Sequence, residues 1–142
     1  MNHQGHQEVT KEAARKSLDA VTESLAETIV DAAIEVHRVL GPGLLESVYQ
    51  TCLMHTLRKR GLKVQAQVEL PIQFEELVLD SGLRLDLLVE DRIILELKSV
   101  EALQPVHFSQ LLSYLRLSGR RLGFLINFNV SKLVDGLHRR VR

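Results

Sequence analysis

Apolar residues in the first part of the chain recur every three or four positions, which is the period of an amphipathic helix. Ser24 and Glu27 form a capping-box pattern, so we predict a helix over residues 24–40 that ends at Gly41. A second helix is predicted over residues 44–60. The apolar positions of the first helix are Ile29, Ala33, Val36 and Leu40.

From residue 64 the pattern changes to an alternation of apolar and polar residues, which is typical of a half-exposed antiparallel strand. We predict this strand over residues 64–74, and Pro71 within it indicates an edge position or a bulge. The next predicted features are a turn at residues 80–82, strands over residues 83–89 and 93–100, and a loop between those strands at residues 90–92.

The last third of the chain predicts a helix, a strand and a helix. Pro105 suits the first position of a helix over residues 105–117. Residues 122–127 are a short apolar run typical of a buried strand, and a serine cap indicates a last helix over residues 131–141. Three meandering strands, a crossover helix and one more strand make an α/β fold, with a mixed four-stranded sheet flanked by helices in the order αβββαβ.

Composition agrees with one folded domain. The 142 residues are 45% apolar and 25% charged, which excludes disorder of the whole chain. We assign residues 22–142 to a single domain and the polar residues 1–21 to a flexible or partly helical extension. No apolar run reaches the ~18 residues of a membrane span, and the start of the chain is too polar for a signal peptide. The single Cys52 fits a reducing cytoplasm, where we expect the protein.

Charge is balanced overall, with 18 basic and 18 acidic residues, but it is unevenly distributed. Residues 116–142 carry seven bases and one acid, which gives a net charge of +6. Such a basic end suits the phosphate groups of a nucleic acid; a solvated terminal helix is the alternative. The absence of tryptophan argues against a base-stacking surface.

Two acidic residues on neighbouring predicted strands are the main candidates for chemistry. If the loop between the strands has three residues, Val89 opposes Ile93 and Asp86 opposes Glu96. By the same count Arg84 opposes Lys98, and all four polar side chains share one face of the sheet. A loop of two residues would instead place the two carboxylates on opposite faces.

Paired carboxylates repel each other unless a cation lies between them, and Mg²⁺ or Mn²⁺ prefers such oxygen ligands. A bound metal ion would activate water at a scissile phosphate, and Lys98 beside it would orient the water or stabilise developing charge. The alternative is an interstrand salt bridge between Asp86 or Glu96 and a basic neighbour.

Two further patterns place polar residues near this set. The predicted crossover helix carries Gln110 and Tyr114 one turn apart, where core residues would be expected. They would either contact a substrate or make structural hydrogen bonds. The second helix begins with Gly43-x-x-Glu46-x-x-Tyr49, in which Glu46 is either a site residue or a first-turn acid that interacts with the helix dipole.

Together these segments resemble the GxxExxY protein family, within the PD-(D/E)xK nuclease-like superfamily. The resemblance covers about residues 25–142 and rests on the segments at residues 36–49, Asp86, residues 96–98, residues 110–114 and residues 122–128. It implies a restriction-endonuclease-like core. It also implies that Asp86, Glu96 and Lys98 carry metal-dependent phosphodiester cleavage, that Glu46 is the helix acid at the metal, and that Gln110 and Tyr114 form a supporting QxxxY motif. Leu85 stands where the superfamily pattern has a proline.

The expected function is therefore a Mg²⁺- or Mn²⁺-dependent nuclease acting on DNA or RNA, with Glu46, Asp86 and Glu96 at the metal. The alternative is a catalytically silent binding or assembly module. Because acids are scarce near the basic end, we expect its arginines to lack intramolecular partners, and Arg120 and Arg121 to lie near the site. An exposed edge strand would allow a homodimer. The residues expected to bind nucleic acid are Arg116, Arg120, Arg121, Arg139 and Arg140.

Overall fold

The computed structural model of the protein describes residues 18–142, apart from the side chain of Ser81. The part of the predicted extension that falls in residues 1–17 lies outside this description. Three helices and five strands follow one another in the order αα βββ α ββ. They are α1 (Ala20–Leu40), α2 (Glu46–Lys59), β1 (Val64–Phe74), β2 (Leu77–Val89), β3 (Ile93–Lys98), α3 (Pro105–Ser118), β4 (Leu122–Asn127) and β5 (Leu137–Val141), with a 3-10 turn (Leu133–Gly136) before β5.

The strands form one mixed sheet in the order β1-β2-β3-β4-β5. All neighbours are antiparallel except β3 and β4, which run parallel and are connected by the crossover helix α3. Helices α1 and α2 pack on one face of the sheet, and α3 packs on the other. The mixed α/β architecture is therefore confirmed, whereas the number of strands differs from the prediction.

The extra strand lies where we predicted the last helix. Residues 137–141 pair with β4, from Ile126 opposite Leu137 to Leu122 opposite Val141. Since β4 is completely buried, its second edge needs a partner that satisfies the backbone groups. The turn before β5 also approaches β4 closely, because a Cβ atom at Gly136 would lie 2.1 Å from the Asn127 carbonyl oxygen.

The first helix begins earlier than the capping-box pattern predicts. Asp19 is the N-cap, and its carboxylate accepts a hydrogen bond from the Thr22 backbone N–H at 2.8 Å. Ser24 lies inside the helix, so the prediction of a cap there is wrong. The sequence contains two acceptable cap residues five positions apart, and the packing of Leu18 against the core favours the earlier one.

The turn between β1 and β2 also differs from the prediction. It lies at Glu75 and Glu76 rather than at residues 80–82, which belong to β2. Residues 80–82 are accommodated as a bulge opposite Pro71, because Leu70 pairs with Leu83 whereas Ile72 pairs with Leu79. The prediction that Pro71 marks an edge strand or a bulge is thus confirmed on both counts.

Candidate active site

The loop between β2 and β3 sets the register on which the site depends. Val89 lies opposite Ile93, and the ladder continues to Leu87 opposite Leu95. The next pair along the strands is Asp86 and Glu96. The predicted three-residue loop is therefore confirmed. Its tight path is possible because Glu90 and Asp91 both adopt positive φ values, of 51° and 56°.

Asp86 and Glu96 hydrogen-bond to each other's strands. The Asp86 backbone N–H donates to Glu96 Oε1 at 3.2 Å, and the Leu97 backbone N–H donates to Asp86 Oδ2 at 2.8 Å. The regular pairing of β2 with β3 ends at Leu87 and Leu95. Beyond that pair, the carboxylate oxygens accept hydrogen bonds from the backbone N–H groups of Asp86 and Leu97. Each carboxylate thereby keeps a second oxygen that neither of these bonds uses.

Both carboxylates lie on the sheet face covered by α3. Glu96 follows Ile94 by two positions and Asp86 precedes Leu88 by two, and both apolar residues pack under α3. Glu96 is 6% exposed. Lys98 ends β3 and lies close enough for its charge to lower the pKa of both carboxyl groups.

Arg84 does not join this group, in contrast to the prediction. It lies opposite Glu69 on β1 and forms an exposed ion pair with it at 3.2 Å. The reason lies at Gln67, whose φ of 53° interrupts the regular pleat next to Asp86. Leu87 packs on the α1 and α2 side of the sheet, whereas Leu85 packs on the α3 side. The simple alternation from which the position of Arg84 was predicted does not extend past Asp86.

Burial and like charge dominate the electrostatics of the pair. Burial raises the pKa of Glu96 to about 9, and the negative charge of Asp86 contributes to that rise. Burial also raises the pKa of Asp86, although hydrogen bonds from the Leu97 N–H and from the Glu96 carboxyl group, and then the Lys98 ammonium, act in the opposite direction. Within residues 18–142, no direct ion pair joins either carboxylate to Lys98 or Arg84. The interstrand salt bridge considered above is therefore not formed.

Helix α3 brings the predicted polar stripe to the same place. Tyr114 is 8% exposed, and its pKa is raised by burial and then by the charges of Glu96 and Asp86. Gln110, one turn earlier, is exposed beside the Tyr114 hydroxyl. His107, one turn before Gln110, has a structural role, because its Nδ1 accepts from the Gln104 backbone N–H at 2.9 Å at the start of the helix.

Glu46 reaches the site from the other layer of the fold. It is the first residue of α2, and its Oε2 accepts from the Ser99 backbone N–H at 3.2 Å. Its charge raises the pKa of Asp86. However, across the described part of the chain no group of three or more His, Cys, Asp or Glu side chains is arranged to hold a metal ion. Asp86 and Glu96 form a pair, and Glu46 does not complete a third ligand position.

The donor set of this pair still fits a divalent cation. Mg²⁺ commonly binds through one or two carboxylates and keeps several water ligands. Burial raises the pKa values of both carboxyl groups, and the charge of Asp86 adds to the rise at Glu96; a bound divalent cation would favour their ionised forms. A surface cleft of about 500 Å³, lined in part by Leu44, Val48 and Ser99, opens next to the Glu46 side of the site.

The basic end of the chain has more intramolecular partners than expected. Arg120 binds Asp91 at 2.5 Å, and Arg139 pairs with Glu23, so the expectation of free arginines is wrong for both. The Arg121 Nε donates to the Arg142 carbonyl. Arg116 is exposed on α3.

Arg140 has a different environment, since its guanidinium lies 4.7 Å from the centre of the Phe108 ring. Its position is on the α3 side of the sheet, as is that of the carboxylates. By contrast, Arg120 binds Asp91 in the turn before β3. Glu96 lies three residues beyond Ile93, the first residue of that strand, which is roughly 10 Å along it. The expectation that Arg120 lies near the carboxylates is therefore not met.

Two polar residues that sequence reasoning did not single out organise the loop after β3. The Asn127 side chain, 3% exposed, accepts from the Val100 N–H at 3.1 Å and donates to the Val100 carbonyl at 2.9 Å. The Ser99 Oγ donates to the Leu44 carbonyl at 2.5 Å. A polar residue that ends a fully apolar strand is the sequence signal that could have identified Asn127.

Comparison with known families agrees with this geometry. The family model of the PD-(D/E)XK nuclease superfamily matches residues 23–141. The chain therefore belongs to the PD-(D/E)XK nuclease superfamily. Neither a curated protein nor a solved structure gives a significant match to it. In the described residues, no helix is long and apolar enough to span a membrane.

Proposed function

We propose that the protein is a metal-dependent nuclease that hydrolyses phosphodiester bonds in DNA or RNA, and that within the superfamily it belongs to the GxxExxY family. The observation that supports this most strongly is the pairing of the half-buried Asp86 carboxylate with the buried Glu96 carboxyl group, with Lys98 beside them. Without a cation, burial keeps a proton on Glu96 up to about pH 9, and a divalent cation bound by the two carboxyl groups would replace that proton. Superfamily membership agrees with the same chemistry.

The proposed roles follow from the position of each side chain. Asp86 and Glu96 would hold Mg²⁺ or Mn²⁺ through their carboxylates, and Glu46 would contribute through an intervening water molecule. A bound metal ion would supply an activated water and neutralise charge on the scissile phosphate. The Lys98 ammonium orients the attacking water and stabilises negative charge that develops on the phosphate oxygens. Gln110 and Tyr114 support the site from α3 and contact the substrate.

A binding or assembly module without catalysis is the second candidate. It is favoured by the ion pairs of Arg120 and Arg139, which reduce the positive charge available to a polyanion. The net charge of zero agrees with it. Such a module would use the same fold but would not need a metal ion.

Cleavage assays separate the two candidates. Labelled single-stranded and double-stranded DNA and RNA are incubated with the full chain and Mg²⁺ or Mn²⁺, and the products are resolved by size. We expect cleavage that chelation abolishes and that Glu96→Gln and Lys98→Ala remove. Glu101→Gln, which changes an exposed acid in the loop after β3, serves as the matched control and retains activity. If cleavage of every substrate is absent, or survives in Glu96→Gln, the nuclease proposal is wrong.

A further inference from the structure

Tyr49 is a buried polar residue whose role the proposed function leaves unexplained. It lies in α2 three residues after Glu46, and it is completely buried. Its hydroxyl donates to the Gly41 carbonyl at 2.6 Å and accepts from the Leu44 backbone N–H at 3.1 Å. Its ring stacks on Phe128, with 4.5 Å between the ring centres and 10° between the planes. Tyr49 thus fixes the loop between α1 and α2 from inside the core.

That loop is joined to the one that follows β3. Ser99, directly after Lys98, donates through Oγ to the Leu44 carbonyl at 2.5 Å and through its backbone N–H to Glu46 Oε2 at 3.2 Å. Leu44 therefore binds the Tyr49 hydroxyl through its N–H and Ser99 through its carbonyl. A continuous set of hydrogen bonds runs from Tyr49 to Glu46.

The start of α2 needs such support because it lacks a side-chain cap. Leu45 occupies the N-cap position and forms no capping hydrogen bond. An uncapped first turn leaves backbone N–H groups without partners and frays readily. Glu46 is exposed in that turn, and its carboxylate accepts a hydrogen bond from the Ser99 backbone N–H. The position of Glu46 consequently depends on the loop that Tyr49 holds.

We infer that Tyr49 is a positioning residue which, together with Ser99, holds the Glu46 carboxylate at the end of β3 and thereby raises the affinity of the site for a divalent cation. This inference rests on the proposed function, because it requires that the site binds a metal ion. Residues that orient metal ligands from behind typically change metal affinity about 10–100-fold. An effect at the lower end is expected here, since Glu46 acts through water.

Titration of the full chain with Mn²⁺, followed by electron paramagnetic resonance of the free ion, tests the inference. Tyr49→Phe removes the hydroxyl and keeps the ring on Phe128, and we expect it to weaken Mn²⁺ binding about tenfold. In a Glu46→Gln background the same change should weaken Mn²⁺ binding less than about twofold, because Tyr49 acts on the metal ion by way of the Glu46 carboxylate. The control is Thr56→Val, which removes a hydroxyl of the same helix that donates to the Cys52 carbonyl at 2.9 Å. It should leave Mn²⁺ affinity unchanged.

Two results would overturn the inference. One is an unchanged Mn²⁺ affinity in Tyr49→Phe. The other is that Tyr49→Phe weakens Mn²⁺ binding as strongly in the Glu46→Gln background as in the unaltered chain. If Tyr49→Phe does not fold, Ser99→Ala provides the same test, because it removes the bond to Leu44 and keeps the backbone N–H at Glu46. An affinity equal to that of the unaltered chain would then contradict the inference. Failure of the unaltered chain to bind Mn²⁺ would contradict the proposed function itself, and this inference with it.

Discussion

Among single side chains, the buried Glu96 carboxyl makes the stability of the metal-free protein depend on pH. Its pKa is raised from 4.5 to about 9 in the folded state. Between these values the folded protein keeps a proton that the unfolded chain releases, so the free energy of unfolding falls as pH rises, by up to about 1.4 kcal/mol per pH unit. Urea denaturation without metal at about pH 6 and about pH 8 measures this slope. Glu96→Gln should flatten it, and equal slopes in both proteins would contradict the raised pKa.

At Asp86, one substitution can remove the negative charge while keeping the hydrogen bond to the Leu97 N–H. Asp86→Asn keeps an oxygen that can accept from the Leu97 N–H and removes a charge whose pKa is raised by burial, so the metal-free protein should be equally or more stable. Metal ions at 100 times the dissociation constant should stabilise the unaltered protein by about 2.7 kcal/mol and the variant hardly at all. Thermal melts with and without Mg²⁺ measure both effects. A large loss of stability in the metal-free variant would indicate a structural role instead.

The same pair shows how far side-chain positions follow from sequence. The Asp86–Glu96 pairing was predictable because loop length fixes the register of a hairpin. The position of Arg84 was not predictable, because it depends on the positive φ of Gln67 in the neighbouring strand. The alternation of apolar and polar residues in the sequence does not reveal that irregularity. The ion pair of Arg139 with Glu23 was equally hidden, since it joins side chains at opposite ends of the sequence.

At the level of whole elements, patterns with a strong period gave correct bounds. The alternation of β1 and the apolar run of β4 predicted both strands as observed, and Gly41 and Gly119 end α1 and α3. The last element was misassigned, because the structure of so short a segment depends on what it packs against. Residues 137–141 are a strand because the buried edge of β4 needs hydrogen bonds, which no local pattern reveals.

Gly136→Ala distinguishes the observed strand from the predicted helix by the sign of its effect. Inside a helix, alanine would stabilise the protein by up to about 1 kcal/mol. In the observed fold the added Cβ would meet the Asn127 carbonyl oxygen at 2.1 Å, and such overpacking costs about 1–3 kcal/mol. We expect a lower free energy of unfolding in urea titrations. Ser131→Ala is the control, since no hydrogen bond depends on that side chain among the described contacts; it should be near neutral.

For the molecule as a whole, the ion pairs of the basic end change which arginines should bind nucleic acid. Asp91 and Glu23 neutralise Arg120 and Arg139. Arg140 lies over Phe108 on the side of the sheet that carries the carboxylates, and it forms no ion pair within residues 18–142. A cation on that side would attract a polyanion toward an otherwise acidic site.

Arg140→Ala should therefore weaken nucleic-acid binding, whereas Arg139→Ala should change it little. Fluorescence anisotropy over a series of salt concentrations, with Ca²⁺ in place of Mg²⁺ to prevent cleavage, measures the affinity and its salt dependence. The loss of one phosphate contact should flatten the log–log salt slope by about one unit. If Arg139→Ala lowers affinity and slope while Arg140→Ala leaves both unchanged, the polyanion binds on the α1 side of the sheet. The carboxylate pair would then face away from the bound strand, and the nuclease proposal would lose its geometric basis.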